Sequence, residues 1–288
     1  MTDVYAAVDN IVQSRTTKAA VVCEVLKLSR SAYDAWRTGQ PSARDSRDVE
    51  LAAMVRDIFW KHRRRYGKRR IAAELAEIGE PCDRRCVAKL LLSQGLYAIQ
   101  PKSFVPKTTA SRHRLGSSPN LLLETPEPSR LNHIWVGDIT DLPLCGGRFC
   151  YLTTLMDRYS RRIVGWHLEV SMTEQLAIPA LHGAIRERQP STQLIHHTDH
   201  GGQYAGGRYR AILQRAEIRQ SRNRADNCYD NAFMESCFGT LKTELEMTEY
   251  KHHRAANREI GDFIAYYNLD RKHSALGYRS PHQFKLLQ

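Results

Sequence analysis

The sequence of 288 residues lacks long apolar runs, and its few cysteines have no metal-ligand spacing. Its longest apolar stretches, such as residues 19–23, fall far short of the roughly 20 residues that cross a bilayer. No basic segment followed by an apolar one opens the chain, so no secretory signal is visible. The seven cysteines are scattered and odd in number, which suits a reducing compartment where they pack as small apolar residues. These absences exclude a membrane protein and a disulfide-rich secreted protein, and they predict a cytoplasmic location.

Acidic residues are scarce relative to basic ones. The chain has 43 Lys and Arg against 31 Asp and Glu, a net charge of +12. Residues 1–131 carry +9 of this excess, and residues 132–288 carry only +3. Because a basic surface releases counterions when it neutralises phosphates, this distribution favours a nucleic-acid partner over a basic surface kept for solubility.

The first hundred residues have helical patterns. Residues 1–48 predict short helices compatible with a small helix-turn-helix, in which Ser29 or Ser31 caps the later helix. Residues 49–100 predict three helices, with a tight turn at Gly79 between the second and the third. Two helices joined by a tight turn, the second with a basic start, are what a major-groove reader needs.

Basic residues cluster around this second helix pair. We therefore predict that residues 49–100 form a helix-turn-helix DNA-binding domain, the alternative being a helical bundle with a solvated basic face. The candidate DNA contacts are Arg69, Arg70, Arg84, Arg85 and Lys89.

The rest of the sequence divides into a proline-rich segment and a segment with strand and helix patterns. Residues 101–131 contain five of the eleven prolines and keep neither helical nor strand periodicity, so they predict a linker. From residue 132, three strand-like segments are followed by alternating helices and strands. This order predicts an α/β fold with a mixed sheet flanked by helices over residues 132–250, and a C-terminal helical extension of that core over residues 251–288.

Three acidic residues occupy unusual contexts. Asp138 lies in residues 134–140, a strand-like segment that is otherwise apolar, where a carboxylate is costly unless paired or metal-bound. Asp199 follows a predicted strand, and ligands gather at such positions in sheets flanked by helices. Glu235 lies in an apolar helical segment, and Lys242 follows it by about two turns on nearly the same face.

Three converging carboxylates can hold two divalent cations for an in-line phosphoryl displacement, with a nearby lysine that meets the phosphate. The simpler interpretation is that each acid forms an ordinary salt bridge. A zinc site at His196, His197 and His200 is a further alternative, but strand alternation points the first two to opposite faces.

Several motifs resemble those of known DNA-processing enzymes. The motifs at residues 135–140, 197–204 and 229–236 resemble the three motifs of DDE transposases and retroviral integrases, with 35 residues between Asp199 and Glu235. Residues 266–281 resemble the C-terminal motif of OrfB-type transposases from insertion sequences of the IS-three group. Residues 66–71 resemble the upstream helix-turn-helix of the same family.

This resemblance implies a ribonuclease-H-like catalytic fold that binds two Mg²⁺ or Mn²⁺ ions through Asp138, Asp199 and Glu235. It implies DNA cleavage and strand transfer at the ends of a bacterial insertion sequence, with Asn231 and Lys242 near the acidic site. Members of the family generally act as multimers on paired DNA ends. An upstream-frame protein commonly supplies another helix-turn-helix and a coiled coil, and the present chain has no sustained heptads.

The sequence thus leaves three functional hypotheses. The first is a metal-dependent transposase that acts on the element's terminal repeats and on target DNA. The second is a catalytically inactive DNA-binding regulator or remnant of a transposase. The third is a nuclease that cuts DNA without joining it.

Overall fold

The computed structural model describes residues 2–15, 17–39, 43–101, 118–223, 232–246 and 249–288. Contacts divide the chain into two compact units, residues 1–98 and residues 99–288. No helix within the described ranges is long and apolar enough to cross a membrane.

Within its described residues, the first unit consists of two groups of three helices. The first group is α1 (Thr2–Arg15), α2 (Ala19–Val25) and α3 (Arg30–Thr38), and the second is α4 (Ala43–Lys61), α5 (Lys68–Glu77) and α6 (Arg84–Ser93). In each group every helix packs against the other two. The first group buries Tyr5, Val8, Val22, Cys23 and Tyr33, and the second buries Leu51, Val55, Phe59, Ile71, Leu75 and Val87.

The second unit is a five-stranded sheet with helices on both faces. Its strands are β1 (Ile134–Leu144), β2 (Arg148–Asp157), β3 (Ile163–Glu169), β4 (Ile195–Thr198) and β5 (Arg219–Arg222). Its α-helices are α7 (Glu174–Arg188), α8 (Gly202–Ala205), α9 (Gly207–Arg215), α10 (Ala232–Glu244), α11 (His253–Leu269) and α12 (Pro281–Lys285). The strand order is β3-β2-β1-β4-β5; β1, β2 and β3 form an antiparallel meander, whereas β4 runs parallel to β1 and β5. The predicted mixed sheet flanked by helices is confirmed.

Each face of the sheet has its own apolar core, because successive side chains of a strand point to opposite faces. Trp135 lies in the core that is covered by α7 and α9. Val136 lies in the core that is covered by α10 and α11. The alternation therefore places Asp138, two residues after Val136, on the face that carries α10.

The C-terminal segment is locked onto the sheet by buried polar contacts. The side chain of Asn268 brackets the backbone of Ile163 in β3, since its amide donates to the carbonyl and its oxygen accepts from the N–H, both at 2.9 Å. The guanidinium of Arg271 donates to both carboxylate oxygens of Glu244 in α10 at 2.7–3.0 Å. These contacts anchor the segment to β3 and to α10.

The second half of the predicted linker also packs on this unit. Leu121 and Leu122 contact the core beneath α10, and the N–H of Leu121 donates to the hydroxyl of Ser221 in β5 at 2.9 Å. This segment contains a single 3₁₀ turn, Leu121–Leu123, which is too short to produce a periodic pattern. Sequence periodicity therefore could not separate it from a linker, and residues 102–117 lie outside the described residues.

Close packing between β3 and α7 generates a stability prediction. A Cβ at Gly165 in β3 would collide with the backbone carbonyl oxygen of Ala180 in α7. We expect Gly165→Ala to lower the free energy of unfolding by roughly 1–3 kcal/mol, since neither backbone can move without repacking. The matched control is Gly183→Ala in α7, where an added Cβ meets open space and should stabilise the helix by roughly 0.5–1 kcal/mol. Thermal unfolding measures both, and similar midpoints for the two variants would contradict this packing.

Candidate active site

Parallel pairing of β1 with β4 brings two of the predicted acids together. The paired positions run from Ile134 opposite Ile195 to Gly137 opposite Thr198. Asp138 and Asp199 are the residues that follow this last pair on the two strands, and both are half-buried. Adjacent strands lie about 4.8 Å apart, so the two carboxylates leave the sheet side by side.

Two glycines permit this close arrangement. A Cβ at Gly137 would lie 2.9 Å from the ring of His196 on the neighbouring strand. A Cβ at Gly201 would lie 3.0 Å from Oδ1 of Asp199, the oxygen that accepts the backbone N–H of the same glycine at 2.9 Å. The small residue before the first acid therefore sets the strand spacing, and the one after the second acid turns the chain tightly around its carboxylate.

The third acid approaches from α10. Met234, Cys237, Phe238 and Leu241 are buried against the sheet, whereas the side chain of Glu235 is exposed. The helix covers the face of the sheet on which Asp138 lies, and it contacts β1. Glu235 is thus held near the two strand acids at the start of a helix whose other face is anchored in the core.

Electrostatics connect the three carboxylates. Burial raises the pKa of the Asp138 carboxyl to about 8, and repulsion from Asp199 and Glu235 adds to the rise. The backbone N–H of Ile139, 2.8 Å from the Oδ1 of Asp138, opposes this shift. Among the residues that the structure describes, none forms an ion pair with Asp138. Its charge is therefore uncompensated, the condition that a bound divalent cation relieves.

The three side chains do not form a closed metal cage as they stand. Within the described ranges, no three His, Cys, Asp or Glu side chains lie close enough together to hold a metal ion. The donor chemistry nevertheless suits Mg²⁺ or Mn²⁺, which prefer carboxylate oxygens and retain open positions for water and phosphate.

Charged side chains at both ends of α10 hold this helix in place, and no periodic pattern in the sequence indicates these contacts. The guanidinium groups of Arg158 and Arg161 lie 4.7 and 3.9 Å from the ring centroid of Phe233, at the start of the helix. The buried pair of Glu244 with Arg271 fixes its end. These contacts flank Glu235 on both sides, so they determine where its carboxylate lies. The pairing of arginines with an aromatic ring about 70 residues away leaves no signal in the periodicity.

Lys242, a predicted DNA contact, faces an acid of the sheet. Its Nζ lies 3.6 Å from Oδ1 of Asp141 in β1, and both side chains are exposed. An exposed ion pair of this kind contributes little to stability, so a phosphate can exchange for the carboxylate at small cost. The other residue predicted beside the acids, Asn231, lies outside the described residues.

The histidines of β4 have structural roles that argue against zinc. His196 bonds the hydroxyl of Tyr209 at 2.8 Å, and burial lowers its pKa to about 3, so it stays neutral. On the opposite face of the strand, His197 bonds Ser221 and Asn223 at 2.8 and 2.7 Å. The predicted divergence of these two side chains is confirmed.

The predicted DNA contacts of the first unit lie on α5 and α6. Arg69, Arg84 and Arg85 are exposed at the starts of these helices. Arg70 is half-buried, with its guanidinium 5.5 Å from the ring centroid of Tyr66. Lys89 is exposed but pairs with Asp48 in α4 at 3.0 Å.

Comparison with known proteins assigns both parts of the chain to families. Residues 45–104 match an HTH-like domain, and residues 128–228 and 216–281 match two families described as integrase core domain. Among solved structures, the catalytic core domain of HTLV-2 integrase in complex with magnesium resembles 53% of the chain over 95% of its own length, with 16% identity and a TM-score of 0.41.

Relatives from insertion sequences match over nearly their whole length. The chain is 38% identical over 270 residues to an uncharacterized 31 kDa protein of insertion element IS600 from Shigella sonnei, covering 92% of the chain and 97% of the relative. It is 37% identical over 268 residues to the transposase InsF of insertion sequence IS3A from Escherichia coli K12, covering 92% of each. It is 35% identical over 248 residues to the IS904 transposase of Lactococcus lactis, covering 85% of the chain and 97% of the relative. The chain therefore belongs to the IS3 family of insertion-sequence transposases, with an HTH-like domain before an integrase core.

Proposed function

We propose that this chain is an active DDE transposase, which cuts DNA at the ends of its insertion sequence and transfers the freed strand to a target. The observation that carries the proposal is the adjacency of Asp138 and Asp199 on parallel strands, with Glu235 within electrostatic reach. Burial and mutual repulsion make this cluster costly without a cation. Such a cost is expected of a metal-dependent active site and serves no purpose in a purely structural sheet.

Asp138, Asp199 and Glu235 would hold two Mg²⁺ or Mn²⁺ ions. When bound, such a pair stabilises the charge that develops on the attacking and leaving oxygens of a phosphoryl displacement. The raised pKa of Asp138 means that its carboxyl keeps a proton near neutral pH in the absence of metal and must release it to act as a ligand. The exposed position of Glu235 lets its carboxylate complete the ligand set from the side of α10.

Two successive displacements would follow from this site. In the first, the oxygen of a water molecule bonds to phosphorus and the bond to the 3′-oxygen breaks, leaving a 3′-hydroxyl and a 5′-phosphate. In the second, that 3′-hydroxyl attacks a phosphodiester of the target, which joins the two strands and frees a new 3′-hydroxyl. Lys242 would exchange Asp141 for a phosphate oxygen and act as a point charge that positions the strand.

We assign DNA binding to the HTH-like unit, and we expect several copies of the chain to assemble on the DNA ends. The exposed arginines of α5 and α6 would contact the element's terminal repeats, because a basic recognition helix reads DNA with its first turns. We propose that the chain acts as a multimer on paired ends in the bacterial cytoplasm, together with the upstream-frame protein of the same element.

Strand cleavage gives the direct test of the catalytic acids. We expect Asp138→Asn and Glu235→Gln each to lower the rate of metal-dependent nicking by at least about a thousandfold, with DNA affinity retained. The substrate is a duplex that carries the element's end, with Mg²⁺ or Mn²⁺, in the presence and absence of the upstream-frame protein. Asp262→Asn is the matched control, since it makes the same change at an exposed acid of α11 in the same unit.

Each outcome of this assay selects one hypothesis. Joined products identify a transposase, whereas nicks without joining identify a nuclease. A wild-type chain that binds but never nicks with the upstream-frame protein present is an inactive regulator. Nicking by Asp138→Asn, or its loss in Asp262→Asn, would show that the site residues are wrongly assigned.

Thermal stability tests the metal site without requiring activity. The pKa of Asp138 is about 8 in the folded chain and about 3.9 in an unfolded one, so the folded state binds more protons between these values. Stability of the metal-free protein should therefore fall as the pH rises from about 4 to about 8. At pH 8, Asp138→Asn should unfold at least about 2 °C above the wild type, which corresponds to roughly 1 kcal/mol.

Mg²⁺ should raise the unfolding midpoint of the wild type and leave that of Asp138→Asn nearly unchanged, because only the wild type offers the full ligand set. The control Asp262→Asn should behave as the wild type does. Equal midpoints at pH 8, or equal responses to Mg²⁺, would contradict a metal site at Asp138.

Salt dependence tests the DNA-binding role of α5 and α6. Replacing Arg69, Arg70, Arg84 and Arg85 together with alanine should weaken binding and reduce the slope of log K against log salt by about 0.9 for each phosphate that is no longer neutralised. Replacing the same four with lysine should preserve most of the slope. Arg56→Ala is the control, since it removes an exposed cation of α4 that does not lie at the start of α5 or α6. An unchanged slope in the alanine variant would show that these arginines do not contact phosphates and that the helix pair has only a structural role.

A further inference from the structure

The first three helices repeat the plan of the HTH-like unit. In both groups a long helix, α1 or α4, is followed by two shorter helices, and all three pack together. The HTH-like match covers residues 45–104, so it includes most of α4 and all of α5 and α6, and it leaves α1–α3 unassigned. The similarity of plan raises the question of whether α1–α3 also has the local features of a DNA reader.

The turn between α2 and α3 has a defined geometry. The N–H of Leu28 donates to the carbonyl of Cys23 at 2.8 Å, and Lys27 adopts a left-handed conformation with φ of 52°. This is a Schellman ending, and Leu28 packs against the same core as Cys23, a contact that often accompanies the motif. Ser29 then caps α3 directly, since its hydroxyl accepts a backbone N–H of the first turn.

The HTH-like unit is built with the same two devices. The N–H of Glu80 donates to the carbonyl of Leu75 at 2.9 Å, with Gly79 in the left-handed conformation at φ of 83°. Asp83 then caps α6 through its side chain. A Schellman ending followed by a capped helix thus fixes the helix pair in both groups, although one turn uses lysine where the other uses glycine.

One side of α3 is anchored in the core. Tyr33 is fully buried, and its ring and that of Trp36 pack with Tyr5 of α1 at centroid distances of 6.0–6.3 Å. The hydroxyl of Tyr33 donates to Asp9 of α1 at 2.7 Å. These contacts leave the opposite side of α3 exposed, and its residues are Arg30, Ser31, Asp34, Ala35 and Thr38.

The exposed side suits the major groove of duplex DNA in the size and hydrogen-bonding groups of its side chains. Its residues are short or flexible and polar, so the helix can approach base edges in the major groove. Arg30 and Asp34 form an exposed pair at 3.6 Å that is easily exchanged. Residues 17–39 contain four cations, Lys18, Lys27, Arg30 and Arg37, against two acids.

We propose that α1–α3 is a second DNA-reading unit, in which α3 enters the major groove with Arg30, Ser31 and Asp34 against base edges. Arginine pairs with guanine O6 and N7, and aspartate accepts from cytosine N4, so G·C pairs are the expected contacts. Lys18 and Lys27 lie at the ends of α2 and contact phosphates. This inference rests on the proposed action on DNA and adds that one chain reads two separate segments of an element's end.

Footprinting with the full chain tests this inference independently of cleavage. All proteins carry Asp138→Asn and are kept free of Mg²⁺, so the duplex stays intact. The probes are a duplex of about 50 base pairs from the element's end and a scrambled duplex of equal composition. Arg30→Ala combined with Ser31→Ala should lose protection over one block of bases, and its preference for the element's end should fall roughly five- to hundredfold.

Two further variants separate base reading from charge. Arg30→Lys keeps the cation and should also lose the preference, because lysine lacks the bidentate geometry. Lys18→Ala removes an exposed cation at the start of α2 and should weaken binding to both duplexes equally. All three changes are at exposed side chains, so the unfolding midpoints should match that of the parent protein.

The outcomes distinguish this inference from the proposed function. A parent protein that protects no bases overturns DNA binding itself. A parent footprint that survives Arg30→Ala with Ser31→Ala overturns only the second reader. A surviving footprint accompanied by a change in oligomeric state would show that the exposed side of α3 binds another copy of the chain.

Discussion

The parallel pairing of β1 with β4 is the constraint on which the rest of the sheet unit and its candidate site depend. These strands are about 60 residues apart in the chain, and the meander of β2 and β3 together with α7 returns the chain to the edge of β1. Their register places Asp138 beside Asp199 and forces two carboxylates into a half-buried position. The surrounding sheet tolerates this repulsion because both faces are sealed by helices, and the resulting electrostatic cost is available to a cation as binding energy.

The second constraint is the placement of α10. Its apolar side would pack against the sheet in several rotations if only hydrophobic contacts acted, since these are non-directional. The arginines stacked on Phe233 and the bidentate pair of Arg271 with Glu244 are directional, so they select one rotation. The C-terminal segment therefore helps to position Glu235 in the candidate site, through the ion pair that fixes the far end of this helix.

Sequence patterns predicted a strand or helix correctly where apolar residues recur with one period along the segment. The apolar run around Val136 predicted β1, and the short strand predicted directly before Asp199 placed this acid at a strand terminus. Strand β5, Arg219–Arg222, was not predicted, because its polar residues are buried through specific bonds such as that of Ser221 with His197. The contact of Arg271 with Glu244 joins positions 27 residues apart and depends on the tertiary fold. Motif resemblance identified Glu235 as an acid of the site, but its approach from α10 required the structure.

The candidate site also depends on Gly137, a residue that faces the other side of the sheet. The residue faces the core beneath α7, away from the acids, and the ring of His196 fills the space where its side chain would be. A larger residue there would push β4 away from β1 and separate the two carboxylates without touching either. The spacing of the acids is thus set from the opposite face of the sheet. Substitutions of Gly137 are therefore expected to alter activity while every acidic residue remains intact.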